Sequence, residues 1–218
     1  MVLMRDDLVG ELPGLTQGML ITLMNAIPFV ANINPPEGET SLYELFRIMQ
    51  IITPTSVLRD WTEHDAPALA RHADDPRIAA TMRDGFPSPY TISDAHRFIA
   101  MATAPGRQLF LAIEVDGEAC GGIGINPLEN VHRGSAEIGY WLSGSFWGRG
   151  IITDAVRALV PVAFRQYDIV RLQAGIFSNN PASMRVLEKC GFVREAVHRN
   201  AITKNGVTMD EIVYAVLR

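Results

Sequence analysis

The residues best suited to bind a ligand stand at 147–153, where two glycines bracket an arginine at the start of an apolar run. Gly148 and Gly150 allow the backbone to turn tightly and to approach a ligand closely. The run that follows has helical periodicity, and the first N–H groups of a helix lack intrahelical partners and carry positive partial charge. Such a turn suits a phosphate or a diphosphate, to which Arg149 would add a charge-assisted hydrogen bond. The alternative is a tight glycine turn that binds no ligand.

Other phosphate-binding and nucleophilic patterns are absent or incomplete. The chain has no G-x-x-x-x-G-K-[ST] sequence, and Gly121-Gly122-Ile123-Gly124 lies in a predicted strand with no helix after it. The glycines of that strand predict a bulge or a close approach of backbone instead. Ser143 and Ser145 lack the G-x-S-x-G context of a serine hydrolase. The histidines suggest no triad and are interpreted as surface or capping residues: His64, His72, His96, His132 and His198.

Composition predicts a globular protein rather than a disordered one, with 48% hydrophobic and 20% charged residues among 218. A net charge of −5 argues against a nucleic-acid-binding surface. Cys120 and Cys190 stand alone, without C-x-x-C or histidines at metal spacing, which predicts a cytoplasmic protein with no bound metal. The longest apolar stretch, residues 19–33, is too short for a membrane span and lacks the basic start of a signal peptide.

A β-α-β unit is predicted to position the glycine turn, from a strand over 136–142, a helix over 151–167 and a strand over 170–176. Pro161 predicts a kink in that helix. Turn residues Asp116-Gly117 and Lys204-Asn205-Gly206 predict hairpins on either side. We therefore expect an α/β (mixed α+β) fold. Its central sheet is mostly antiparallel, has one parallel pair and carries helices on both faces.

The remaining elements follow the same periodicity rules. A Pro/Gly/acidic run at 34–40 predicts a boundary between an extension over 1–48 and a working domain over 50–218. Ser93 is the predicted N-cap of the third helix. The expected strands cover 51–61, 108–115, 119–125, 192–202 and 207–217, and the expected helices cover 66–73, 75–82, 93–103 and 181–189.

Three segments resemble the GNAT acyltransferase superfamily. Trp147-Gly148-Arg149-Gly150-Ile151-Ile152 resembles its Q/R-x-x-G-x-G/A signature, with Trp147 in place of Gln/Arg and Ile152 in place of the last Gly/Ala. Residues 180–192 resemble its N-x-x-A/S stretch that ends in Gly-Phe, and residues 136–142 resemble the strand before the loop in the RimJ/RimL-like branch. Segments 52–61 and 74–76 fit the same branch, so the resemblance covers about 50–218 and leaves 1–48 uncovered.

The resemblance implies a GNAT-like fold that binds acetyl-CoA as co-substrate and uses no metal. In the family an amine attacks the acetyl thioester directly, and loop amides hold the diphosphate of the coenzyme. Carried onto this chain, the coenzyme-binding residues are Trp141, Leu142, Trp147, Gly148, Arg149, Gly150, Ile151, Ile152, Thr153, Asn180 and Ser183. An unpaired backbone N–H around Trp141 and Leu142 would serve as the oxyanion donor.

The resemblance also implies the catalytic groups. Glu137 would accept the amine proton through water, and the alternative is a solvated or ion-paired carboxylate. Ser183 would contact the coenzyme or protonate the thiolate, because the position that often carries the family's tyrosine is Leu187 here; the alternative is a local hydrogen bond. At pH 7 an α-amine of pKa about 8 costs about 1.4 kcal/mol to deprotonate, against roughly 4.6 kcal/mol for a lysine.

The sequence thus predicts an N-acetyltransferase whose acceptor is a primary amine, on a protein N-terminus or a small molecule. Phe86 and Tyr90 would line the acceptor pocket with Glu137. A non-catalytic acyl-CoA-binding regulatory module is the alternative, and an enzyme for aminoglycoside-like polyamines would require a strongly acidic pocket. No nucleic acid partner and no membrane span are expected, and the protein would be a monomer or a homodimer.

Overall fold

Two hairpins and one β-α-β unit build most of the sheet in the computed structural model, which describes residues 50–218. The predicted extension over 1–48 lies outside the described residues. The strands are β1 (Ile51–Ile52), β2 (Val57–Asp60), β3 (Leu109–Val115), β4 (Glu118–Pro127), β5 (Ser135–Leu142), β6 (Arg171–Phe177), β7 (Val193–Lys204) and β8 (Val207–Leu217). The helices are α1 (Ala66–Ala73), α2 (Pro76–Ala79), α3 (Ile92–Thr103), α4 (Ile151–Gln166) and α5 (Pro181–Lys189).

Within the unit Thr53–Arg218, the strands are ordered β2-β3-β4-β5-β6-β8-β7. Neighbouring strands are antiparallel except β5 and β6, which are parallel and are joined through α4. The predicted mixed sheet, mostly antiparallel with one parallel pair and helices, is confirmed.

Both predicted hairpin turns have the backbone that their residues favour. Asp116 and Gly117 have φ of 52° and 82°, and Asn205 and Gly206 have φ of 50° and 78°. Two successive residues with positive φ match the right-handed twist of the flanking strands. Each turn therefore fixes the register of its hairpin locally.

Three predicted boundaries are wrong for identifiable reasons. The strand expected over 51–61 is two strands, because residues 53–56 form a turn closed by the Ser56 N–H donating to Thr53 Oγ1 at 2.9 Å. The helix expected over 75–82 is shorter and ends at Ala79. The N-cap of α3 is Thr91 rather than Ser93, because Thr91 and Asp94 form a reciprocal capping box.

Apolar faces of the helices cover the sheet. The buried residues of α4 recur at helical spacing and face β4 and β5: Ile151, Ala155, Val156, Leu159 and Ala163. A second cluster joins α1 and α3 to β3 and β4, and it includes Trp61, Leu69, Ile78 and Ile99. Burying each such large side chain contributes about 2 kcal/mol. The two clusters hold α4 and the segment around α2 at fixed positions on the sheet.

The parallel pair separates along its length. β5 and β6 are paired only at Ser135↔Arg171, Ala136↔Leu172 and Glu137↔Gln173. β5 nevertheless continues to Leu142, paired on its other side with β4, and β6 continues to Phe177, paired with β8. A wedge therefore opens between the two strands beyond Glu137 and Gln173.

Candidate functional site

A groove of about 1140 Å³ runs through the wedge between β5 and β6. The starts of α4 and α5 line it, as does the segment from Ile78 to Tyr90. Every site residue predicted from the sequence lines this groove: Phe86, Tyr90, Glu137, Trp141, Leu142, Trp147, Gly148, Arg149, Gly150, Ile151, Ile152, Thr153, Asn180 and Ser183. The fold thus brings together residues that lie almost a hundred positions apart.

The glycine turn leaves the start of α4 open. Gly148 and Gly150 have φ of 77° and 81°, in the left-handed region, and Gly150 is the N-cap of α4. No side chain in the described part of the chain caps this helix, and the Gly150 carbonyl already accepts the first helical bond from the Asp154 N–H at 3.0 Å. The first N–H groups of α4 are therefore suited to donate to an anionic group of a ligand, such as a diphosphate.

Aromatic rings and guanidinium groups flank this turn. The Trp147 indole N–H donates to the Leu142 carbonyl at 2.7 Å, which ties the loop back to the end of β5. The Arg77 guanidinium lies 4.9 Å from the Trp147 ring centroid, and that of Arg149 lies 5.1 Å from the Phe146 centroid. Arg77 is also paired with Asp75 at 2.6 Å, so its charge is largely compensated, and Arg149 is the guanidinium that adds positive potential beside the turn. Arg77 was missed by the sequence analysis because it lies on α2, about 70 residues before the motif.

The Asn180 side chain caps the start of α5. Asn180 Oδ1 accepts from the Ser183 N–H at 3.1 Å. The Ser183 carbonyl in turn accepts from the Tyr140 hydroxyl at 3.3 Å, and burial raises the pKa of Tyr140, so this phenol stays protonated at neutral pH. Tyr140 brings a second hydroxyl to the wedge that sequence reasoning missed. Leu187, at the position of the family tyrosine, is fully buried.

Glu137 is ion-paired. The Arg83 guanidinium donates to its two carboxylate oxygens at 3.0 and 3.2 Å, in the bidentate geometry that favours arginine. The hydrogen bond to Glu137 raises the pKa of Arg83 above its usual range. Glu137 thus forms an ion pair and also lines the groove, and its role as the base stays a prediction.

The end of the groove around Phe86 is lined by aromatic rings, and the charged residues there form ion pairs. The Phe86 ring centroid lies 5.0 Å from that of Tyr90 and 5.8 Å from that of Trp141. The segment that carries Phe86 is held by Arg83 on Glu137 and by Asp84, which accepts from Lys204 at 2.8 Å.

Glu137 and Asp94, the acidic residues that line this end, each contact an arginine, Arg83 and Arg97 respectively. The strongly acidic pocket that polyamine acceptors would require is not present here. Among residues 50–218, no group of three or more His, Cys, Asp or Glu could hold a metal ion. No helix in the same range is both long and apolar enough to cross a membrane.

Comparisons with known proteins give one consistent family. The model of the acetyltransferase (GNAT) domain matches residues 56–193. A putative ribosomal N-acetyltransferase, YdaF, of Bacillus subtilis is 38% identical over 103 residues, which is 47% of this chain and 56% of that protein. The ribosomal-protein-serine acetyltransferase of Escherichia coli is 32% identical over 108 residues, 50% of this chain and 59% of that protein. The chain thus spans little more than half the length of these curated relatives.

Solved structures extend the likeness over more of the chain. Mycobacterium smegmatis RimJ, in complex with CoA-disulfide, superposes with a TM-score of 0.68 at 26% identity. The match covers 77% of this chain and 85% of that one. The wedge, the glycine turn and the capped α5 therefore occur within a fold shared with coenzyme A-binding proteins.

Proposed function

Because this chain belongs to the GNAT acetyltransferase family, we propose that it transfers the acetyl group of acetyl-CoA to a primary amine. The uncapped start of α4 beyond Gly150 is the observation that carries the proposal, since it offers backbone N–H groups and a helix dipole to the diphosphate of the coenzyme. Arg149 adds positive charge beside it. The wedge beyond Glu137 leaves room for the pantetheine arm along β5.

The transfer needs three contributions from the protein. The amine nitrogen bonds to the thioester carbonyl carbon and loses a proton, while the carbon–sulfur bond breaks and the thiolate gains a proton. The end of β5 at Trp141 and Leu142 has no strand partner on its β6 side within the described sheet, and a backbone N–H there would donate to the carbonyl oxygen. Glu137 would accept the amine proton through water. Ser183 would protonate the thiolate, with Tyr140 holding the turn that presents it.

The acceptor that fits best is the α-amine of a protein or peptide N-terminus. Its deprotonation costs only about 1.4 kcal/mol at pH 7, so a base already paired with Arg83 is adequate. The Escherichia coli relative acts, by its name, on the serine of a ribosomal protein. Paired charges and the Phe86, Tyr90 and Trp141 rings favour a neutral acceptor group over a polycation.

One observation favours a different function. Arg83 contacts both oxygens of Glu137, which suits a non-catalytic acyl-CoA-binding regulatory module that needs no base. Thiol release from acetyl-CoA, measured with a panel of peptides and small amines, distinguishes the two. We expect release with peptide amines. Tight coenzyme binding with no release for any amine would contradict the transferase and favour the module.

A further inference from the structure

Outside the machinery described so far, His72, Ser143 and Glu118 form a hydrogen-bonded chain. His72 lies on α1, Ser143 follows the last residue of β5, and Glu118 begins β4. His72 Nδ1 lies 3.0 Å from Ser143 Oγ, and His72 Nε2 lies 3.0 Å from a carboxylate oxygen of Glu118. The His72 side chain is only 11% exposed, so the interpretation of this histidine as a surface or capping residue is wrong.

The Glu118 carboxylate determines which atoms donate in these two hydrogen bonds. Hydrogen bonds from His72 and Arg71 hold the pKa of Glu118 below its usual range, so the ionised group can only accept. His72 Nε2 therefore carries a hydrogen that it donates to Glu118. In the neutral imidazole, Nδ1 is then left to accept from the Ser143 hydroxyl. The carboxylate fixes both the tautomer and the orientation of the ring.

Ser143 is not placed to act as a nucleophile. It is 6% exposed and is not among the residues that line the groove. Its N–H donates to the Cys120 carbonyl at 2.9 Å, which anchors it to β4. The chain of hydrogen bonds therefore ends in the protein interior, on the segment that leads into the glycine turn.

The same histidine also contacts that turn directly. Its ring lies edge-on to Phe146, with 5.8 Å between centroids, and Phe146 carries the Arg149 guanidinium on its face. A 3₁₀ turn, Gly144–Phe146, lies between β5 and the glycines, and His72 contacts both the residue before it, Ser143, and its last residue, Phe146. The orientation of the His72 ring therefore affects the positions of Arg149 and of the first N–H groups of α4.

We propose that His72 is a positioning residue for the coenzyme site, held by Glu118 and acting through Ser143 and Phe146. The inference rests on the proposed function, since it assigns to His72 the placement of the diphosphate-binding turn. A lost hydrogen bond of this kind changes an affinity by about tenfold. The effect should fall on coenzyme binding rather than on the chemical step.

The test compares His72→Ala with the wild-type protein by calorimetry with CoA and by steady-state kinetics. We expect the Kd for CoA and the KM for acetyl-CoA to rise about tenfold, with kcat within about twofold of wild type. Ser143→Ala removes the hydrogen bond but keeps the Phe146 contact, so it should raise both constants by a smaller factor, again with kcat near that of wild type. In the double variant the loss should not exceed that of His72→Ala alone, because the hydrogen bond is already absent there.

His96→Ala is the matched control, because it removes another histidine–glutamate pair, His96 Nδ1 to Glu63 at 2.8 Å, from the outer surface. It should leave both constants unchanged. His72→Asn, which can still accept from Ser143, should recover more affinity than His72→Gln, whose longer amide favours the Glu118 position. If His72→Ala binds CoA as tightly as wild type, the proposal is overturned. If wild-type protein binds no CoA, the proposed function fails instead.

Discussion

The Arg83 guanidinium donates to both carboxylate oxygens of Glu137, at 3.0 and 3.2 Å, across 54 positions of sequence. This pair lies where β5 parts from β6, so the Arg83 guanidinium neutralises the proposed base at the start of the wedge. An incoming amine that reaches Glu137 through water must share the carboxylate with the arginine.

Replacing Glu137 by glutamine tests its role as the base. Glu137→Gln should lower kcat by about 10²-fold, the lower end of general-base effects, because an α-amine needs little help. The control is Glu195→Gln, since Glu195 forms a comparable bidentate pair with Arg171 outside the groove, at 2.5 and 2.8 Å. Wild-type rates for Glu137→Gln at every pH would remove Glu137 as the base.

Replacing Gly150 by valine tests the diphosphate assignment. A branched residue is strained at φ of 81°, and its side chain would project beside the open start of α4. We expect a rise of about tenfold or more in the KM for acetyl-CoA. Gly206→Val carries the same strain, at φ of 78° in the β7–β8 turn, and controls for lost stability. An equal KM in the two variants would count against the assignment.

Two hydroxyl variants locate the proton donor for the thiolate. Ser183→Ala should lower kcat and leave the KM for acetyl-CoA nearly unchanged. Tyr140→Phe should have a smaller effect, because in the proposal its hydroxyl only holds the Ser183 carbonyl. Rapid-quench measurement of the chemical step with each variant supplies the comparison. A larger loss in Tyr140→Phe would transfer the donor role to the phenol.

Acid stability should depend on Asp65. Burial raises the pKa of this carboxyl, but donation from Arg59 at 2.7 and 2.8 Å and from the Thr62 N–H at 2.8 Å outweighs it, so the pKa is lowered. A carboxyl with a depressed folded pKa stabilises the protein above its unfolded pKa, about 3.9, and this stabilisation is lost as pH falls through the folded value.

The free energy of unfolding of the wild type, measured with urea, should therefore fall as pH is lowered below about 4. Because Arg59 also pairs with Glu114, Asp65→Asn should be less stable by about 1–2 kcal/mol at pH 7, and it should lose less stability than wild type on acidification. Asp116→Asn, in the exposed β3–β4 turn, should follow the wild-type curve. Parallel acid sensitivity in wild type and Asp65→Asn would refute the assignment.

Sequence reasoning succeeded where the interaction is local. The Asp116-Gly117 turn, the Lys204-Asn205-Gly206 turn and the start of α4 after the glycines each depend on residues within a few positions, whose backbone preferences act without the rest of the fold. The predicted Ser93 N-cap is wrong because of a local detail. Serine and threonine can both cap a helix, but Thr91 has an acidic residue, Asp94, three positions later, and together they form the capping box.

Long-range partners could not be read from the sequence. Arg83 and Glu137, Tyr140 and Ser183, and His72 and Ser143 are separated by 54, 43 and 71 positions. Each pair depends on strand register and on how a helix lies over the sheet, which residue types alone do not specify. The cytoplasmic location and the monomeric or homodimeric state stay predictions.

Three residue pairs join β5 to β6, fewer than join any other neighbouring strands from β2 to β8. Each half of the sheet is otherwise a self-contained antiparallel ribbon. Small rotations of one ribbon against the other would change the width of the cleft without breaking either. A scaffold of this kind can accommodate acceptors of different thickness while its coenzyme turn stays rigid, so that selectivity can evolve independently of cofactor use.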